Sequence, residues 1–311
     1  MKAEFTRLQD GAIEMLFRAG DHSEHRQPVT LAADSCLLRA DRWGGWMREH
    51  PAPPASTMAD MGDRLTPSGS MFLRPLSDRT MWLRLPDFDD SRAKPLADLL
   101  ASEEARLSTF PNLLIDLREN GGGSDFVYRS LMPWIYTRPI YSIGVELRAS
   151  ADNLALRKRL ADDLRTQEPE VAEALDEQNA RMQRNLGGYI TNGHKSFYIR
   201  RMDQIRPFPR RVAILIDGAG SLGEQFLLEA RQSRKVTLFG HRNSAGVLDF
   251  ANVVAMDTPS GRHRMFWATS RSLRLPEDPV DPDGIAPDVR IPQDVIDPVG
   301  FAQAWLERQV D

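Results

Sequence analysis

The chain carries one cysteine, Cys36, in 311 residues. A single thiol excludes an internal disulfide and any metal site built from several cysteines; it reads as a small apolar filler rather than a nucleophile. Lysine is almost as scarce. Of 40 basic residues only five are lysine: Lys2, Lys94, Lys158, Lys195 and Lys235. Chemistry that needs a lysine base therefore has few places to sit. No stretch reaches the ~18 consecutive apolar residues of a spanning helix. The first residues, Met1-Lys2-Ala3-Glu4-Phe5-Thr6-Arg7, mix acid and base, where a signal peptide needs a basic start and then an apolar run. As written, the sequence reads as soluble and unexported. The net charge of −4 removes the global positive field expected of a nucleic-acid binder. There is no internal repeat and no low-complexity tract.

What is present is ordinary globular material, 41% apolar and 27% charged. That is enough for one large domain with a small companion. Residues 1–70 read as a small β-rich region ending in a linker. Ala12-Ile13-Glu14-Met15-Leu16-Phe17-Arg18 and Pro28-Val29-Thr30-Leu31 are strand-like pieces, and Pro51, Pro53, Pro54, Pro67 and Gly69 mark the linker. Residues 71–311 read as an α/β core. Its strands are expected at Thr80–Leu85, Asn112–Leu117, Arg211–Ile216 and Lys235–Phe239. The second and third are apolar at nearly every position, as strands buried on both faces must be. A helix is expected near 91–107, with Leu96, Leu99, Leu100 and Leu107 at mostly helical spacing. Residues 151–186 are highly charged. Leu156, Leu160 and Leu164, then Pro169, Val171, Leu175 and Met182, predict two amphipathic helices as an insertion covering the edge of the core or lying over a site.

The third strand runs into Asp217-Gly218-Ala219-Gly220-Ser221-Leu222-Gly223-Glu224. Read literally, this is G-x-G-x-x-G between a strand and a helix, a dinucleotide-binding signal that would make the chain an NADP-dependent oxidoreductase. Against it, the motif begins at 218, leaving little chain for a doubly wound sheet. The next strand also ends in Gly240-His241-Arg242, where a ribose-binding acid should stand. The second reading takes Ser221 as a nucleophile. A serine at a tight strand-to-helix turn has its hydroxyl lifted from the sheet and helix amides beside it. A serine before a helix is, however, most often only a cap.

Two further segments carry weight. Leu114-Ile115-Asp116-Leu117-Arg118-Glu119-Asn120-Gly121-Gly122-Gly123 ends a buried strand in charge and then three glycines, whose amides could cradle an anion. Asp281-Pro282-Asp283-Gly284-Ile285-Ala286-Pro287-Asp288-Val289 is an acid-dense turn entering a short strand. Taken in order, Asp-Leu-Arg-x-Asn-x-Gly-Gly, Ser-x-x-Glu and Gly-Ile-x-Pro-Asp-Val resemble the C-terminal-processing (tail-specific) serine peptidases over about residues 76–292. Trp82-Leu83-Arg84-Leu85-Pro86-Asp87-Phe88 is similar to that family's strand before the first core helix.

The resemblance implies a crotonase-like α/β core, often with a PDZ-like module, of which residues 10–31 would be the last strands. It implies a serine peptidase acting on unstructured or C-terminal polypeptide segments through an acyl-enzyme, with no metal or organic cofactor. The substrate would be bound as an added strand. Ser221 matches the nucleophile; the amides of Gly122 and Leu222 match the oxyanion hole. One branch places a lysine 25 residues after the serine, which here is Gly246. The tricorn-like branch instead uses histidine and an acid, matched by Asp281. The nearest setting for the histidine is Asp21-His22-Ser23, which departs from the family pattern, so His22 is the weakest of these matches. His241 follows the next strand and could approach the site; His25, His50, His194 and His263 read as exposed or structural. A catalytically inactive peptide-binding member of the same fold stays open, as does self-association into a homo-oligomer. The resemblance favours an exported or periplasmic setting, and the absence of a leader in this sequence a cytoplasmic one.

Overall fold

The computed structural model describes residues 2–7, 12–18, 24–30, 62–67, 69–193, 195–258 and 260–308. The chain divides into two units, Met1–Ala59 and Asp60–Asp311. In the first, β1 (Lys2–Arg7), β2 (Ala12–Arg18) and β3 (Glu24–Thr30) form an antiparallel meander, with Lys2 opposite Arg18 and Ala12 opposite Thr30. Cys36 and His22 lie outside the described residues.

The second unit is mixed α/β, as the sequence predicts. Its strands are β4 (Phe72–Pro75), β5 (Thr80–Arg84), β6 (Asn112–Asp116), β7 (Ile140–Ile143), β8 (Val145–Arg148), β9 (Tyr189–Thr191), β10 (Phe197–Arg200), β11 (Arg211–Leu215), β12 (Val236–Gly240), β13 (Phe250–Asp257), β14 (Arg264–Ser272) and β15 (Val289–Arg290). Its longer helices are α1 (Ala93–Ser102), α2 (Ala151–Leu164), α3 (Pro169–Arg184), α4 (Leu222–Ala230) and α5 (Pro298–Arg308). Six strands form the central sheet in the order β15-β12-β11-β6-β5-β4; only β4 runs antiparallel to its neighbour.

The apolar runs of β5, β6 and β11 are explained by burial on both faces. Leu113 and Ile115 of β6, with Val212 and Ile214 of β11, point into the larger core under α1 and α4. Leu114, Ala213 and Leu215 point the other way, onto Val299, Ala302 and Leu306 of α5. Successive side chains of a strand leave opposite faces, so neither face can be polar.

A second sheet, β13-β14-β8-β9, is antiparallel, and β7 pairs with β10 as a separate ribbon. The insertion forms two helices, and their buried stripe only partly follows the predicted one. Leu154, Ala161, Ala172 and Met182 are buried, while Leu160 and Val171 are exposed. Small residues let α2 and α3 lie close, and Leu147, Ala149, Leu154, Met182 and Ile190 close a satellite core beneath them.

The Asp-Leu-Arg motif is an ion-pair network. Asp116 is fully buried and accepts Arg118 at both oxygens, Nε to Oδ1 at 2.8 Å and Nη2 to Oδ2 at 2.7 Å. Arg118 also donates to the carbonyls of Asp63 and Arg64, fastening residues 62–65 to the sheet. Arg84 donates to the Asp116 carbonyl at 3.0 Å. Burial pushes the Arg84 guanidinium below its ordinary value, and Asp116 opposes that shift. Asp116→Asn leaves two buried guanidinium groups without this counter-charge. It is expected to cost about 3 kcal/mol of unfolding free energy, read as a lowered urea midpoint at unchanged slope.

Candidate active site

Parallel strands direct their carboxyl ends to one edge of the sheet, where open α/β folds bind their ligands. Three connections meet at that edge: residues 117–123 after β6, 216–221 after β11 and 241–249 after β12. Ser221 sits between β11 and α4 with φ 52° and ψ −123°. A side chain other than glycine rarely adopts such a backbone, which costs ~1–3 kcal/mol and persists only where surroundings enforce it.

The surroundings here are specific. The Gly220 N–H donates to the Asn120 carbonyl at 2.8 Å, and the Ala245 N–H to the Ala219 carbonyl at 2.7 Å. Asn120 is buried, and its side-chain amide donates to the Leu85 carbonyl. Glu224, three residues after Ser221, is fully buried. Its Oε1 accepts the Ser244 hydroxyl at 2.5 Å and the Gly246 N–H at 2.7 Å; its Oε2 accepts the Val247 N–H at 3.0 Å and the Ser221 N–H at 3.2 Å. Four donors in place of water are what a buried carboxylate requires. The sequence presented Glu224 only as a spacing after the serine; the structure makes it the tie between the serine turn and the 244–247 loop.

Gly122 presses directly on the serine turn. It has φ +90°, and a Cβ there would lie 2.7 Å from the Leu222 nitrogen, 2.8 Å from the Gly220 carbonyl oxygen and 2.9 Å from Ser221 Cβ. No side chain fits at 122, so the backbone there packs against the turn beside the Leu222 N–H. No hydrogen bond from that amide is formed among the described residues. The Gly122 N–H itself donates to Asn120 Oδ1 at 2.8 Å. The amides of Ala219, Gly220 and Gly223 are bonded within the protein, to Ile216, Asn120 and Gly220. The glycine turn therefore does not offer the open row of N–H groups that a pyrophosphate would need.

Asp281 accepts three backbone amides: Leu248 at 2.6 Å and Asp249 at 2.9 Å on Oδ1, and Phe250 at 3.3 Å on Oδ2. Asp281 and Ser221 thus belong to connected loops, Asp281 holding 248–250 and Glu224 holding 246–247.

The histidines are placed differently. His241 lies between Asp217 Oδ2, 2.9 Å from Nδ1, and the Val295 carbonyl, 2.9 Å from Nε2. Both ring nitrogens are committed, and among the described residues no imidazole is hydrogen-bonded to the Ser221 hydroxyl. His263 is exposed at the β13–β14 turn. His22, His50 and His194, and the side chain of His25, lie outside what is described.

The lysine alternatives fall away on geometry. Lys235 stands at the start of β12, whereas Ser221 follows the carboxyl end of the parallel β11. It is half-buried, and its Nζ donates to the Arg206 carbonyl at 2.6 Å. Burial, with Arg206 nearby, holds its amine below the ordinary range. Gly246 has φ +71°, and a Cβ there would lie 2.1 Å from the Pro282 carbonyl oxygen.

These features place the chain among α/β proteins that present a serine at a strained strand-to-helix turn. Residues 79–291 match the family model of Peptidase family S41. The chain belongs to this family of C-terminal-processing peptidases, which are serine hydrolases. Its fold is similar to that of a candidate peptidase from Parabacteroides merdae ATCC 43184, at 15% identity and TM-score 0.50, covering 86% of this chain and 75% of that one. It is also similar to mature CPAF complexed with lactacystin, at 14% identity and TM-score 0.52, covering 97% and 67%. At those identities the likeness is one of fold. No curated sequence matches. No helix among the described residues is long and apolar enough to cross a membrane.

Gly246→Lys restores the spacing of the lysine-using branch but collides with Pro282. It is expected to cost several kcal/mol of stability and to bring no gain in peptide hydrolysis, read by thermal unfolding beside a fluorogenic peptide assay.

Proposed function

We propose that the chain is a serine peptidase that cleaves unstructured or C-terminal segments of polypeptides through an acyl-enzyme on Ser221. The observation that carries this reading is the backbone of Ser221, held at φ 52° beside an uncommitted Leu222 N–H with Gly122 packed against it. Ser221 and Glu224 do form a capping box on α4, but an N-cap residue ordinarily has β-region backbone, so capping alone does not account for the strain.

In the proposed reaction the Ser221 hydroxyl attacks the scissile carbonyl carbon while a histidine takes its proton. The carbonyl π pair moves onto oxygen, where the Leu222 N–H at the positive end of α4 holds it. Such a donor is worth ~3 kcal/mol of barrier. The Gly122 N–H is the second donor of the reading; it can serve only by turning from Asn120 Oδ1. Collapse of the intermediate expels the amine, which receives the proton from the histidine, and water repeats the sequence to release the acid. Asp281 would orient the histidine: its Oδ2 carries only the long bond from Phe250 and keeps a lone pair for an imidazole N–H. His22 is the residue proposed as that base, from the sequence alone.

The rival within the same fold is a peptide-binding protein without turnover. Its support is specific: both nitrogens of His241 are occupied, so no described imidazole serves Ser221. A fluorophosphonate probe separates the two, because an unactivated serine does not label.

Ser221→Ala is expected to abolish labelling and reduce hydrolysis of an unstructured peptide by at least 1000-fold, the scale of a removed triad member, with thermal unfolding nearly unchanged. Residual turnover above about a tenth of wild type, far more than a triad knockout leaves, would discard the assignment. Gly122→Ala pushes a methyl into the serine turn and is expected to lower the labelling rate about a hundredfold, the loss of one oxyanion donor, measured by the same probe.

A further inference from the structure

Asp249 was not singled out by any sequence motif, yet its carboxylate is fully buried at the base of the β13–β14 hairpin. Its Oδ2 accepts the Val280 N–H at 2.5 Å and the Asp281 N–H at 2.9 Å; its Oδ1 accepts Nη2 of the buried Arg274 at 3.1 Å. Asp281 returns the contact, its Oδ1 accepting the N–H groups of Leu248 and Asp249. Each aspartate therefore caps the backbone of the other, across more than thirty residues of chain. The Asp249 carbonyl also accepts the Ser272 N–H at 2.7 Å, anchoring the hairpin to the same point.

We propose that Asp249 is a positioning residue of the peptidase, setting the orientation of the Asp281 carboxylate through this reciprocal pair. The inference rests on the peptidase reading and on Asp281 as the acid behind the histidine. Buried and saturated with donors, Asp249 cannot touch a substrate. What it controls is which Asp281 oxygen is used up. With the backbone of 280–281 pinned, Oδ1 is turned to Leu248 and Asp249, and Oδ2 is the oxygen left with spare capacity. Loss of the pin lets the Asp281 carboxylate rotate, so a histidine loses a partner fixed in direction. That lowers the rate of the chemical step rather than the affinity for the peptide. Arg274 completes the device. Its guanidinium needs the carboxylate, so Asn at 249 would face it with an amide N–H₂ in place of an acceptor.

The test compares wild type, Asp249→Asn, Asp281→Asn and Arg274→Lys in hydrolysis of an unstructured fluorogenic peptide. Fluorophosphonate labelling is measured in parallel, well below the unfolding temperature of each variant. Asp249→Asn is expected to lower kcat and the labelling rate at least tenfold with KM within twofold of wild type. Arg274→Lys, which keeps the charge but loses the planar fork, is expected to lower kcat about threefold and carries the test if Asp249→Asn does not fold. A wild type that neither labels nor cleaves overturns the peptidase reading and this inference with it. Asp281→Asn as active as wild type overturns the acid, and again the inference with it. Full kcat in Asp249→Asn, or failing that in Arg274→Lys, while Asp281→Asn is impaired, overturns the positioning role alone. A loss confined to KM overturns that role equally.

Discussion

The buried carboxylate of Glu224 decides whether the Ser221 turn can exist. An L-residue at positive φ is held against its own preference, and the energy has to come from contacts that relaxation would break. Glu224 supplies four of them at once. One goes to the strained residue's own N–H, and three go to the loop that follows the next strand. If the turn relaxed, a charge with no route to water would lose a donor, a penalty of the same order as the strain. The Asn120 carbonyl, which receives the Gly220 N–H, braces the turn from the other side. The serine is thus set by β6, β11 and the loop after β12 together.

From this tie the backbone of 246–250 follows. Its five consecutive N–H groups all donate to carboxylates, Gly246 and Val247 to Glu224, then Leu248, Asp249 and Phe250 to Asp281. A segment so committed has no amide left to offer to an extended peptide. Gly246 is part of the same constraint, since its positive φ and its contact with the Pro282 carbonyl leave no room for a side chain. The absence of a lysine there follows from how the loop is built.

Much of the core was legible in the sequence because its signals are local. The strands β5, β6, β11 and β12 lie within a residue or so of the expected ranges, since burial on both faces forces short unbroken apolar runs. The Asp-Leu-Arg, Ser-x-x-Glu and Gly-Ile-x-Pro-Asp segments fall on connected loops. The piece Ala12–Arg18 coincides with β2, and the short strand after the Asp281 turn is β15. Other strands were not read, because β7 and β10 are short and leave Tyr141, Ile143, Phe197 and Ile199 exposed, and β13 and β14 alternate too weakly to declare a buried face. Leu160 and Val171 misled as members of the helical stripe, while Ala161 and Ala172 are buried beside Leu154 and the expected Met182. Asp249 was invisible for another reason. Its partners at 274, 280 and 281 lie 25 to 32 residues further on, and nothing around it marks a carboxylate about to be buried.

The last helix, α5, lies across the face of the sheet that includes the first strands of its unit. Glu307 accepts the hydroxyls of Ser77 and Thr80 at 2.6 Å each, and Asp297 pairs with Arg64 at 3.1 Å. One face of the sheet thus stays uncovered until the residues around 300 have left the ribosome. Contacts of such sequence separation come late and slowly, and a chain waiting for them shows bare strand faces to its neighbours. For this protein the hazardous interval of biogenesis is the time between completing β12 and delivering α5.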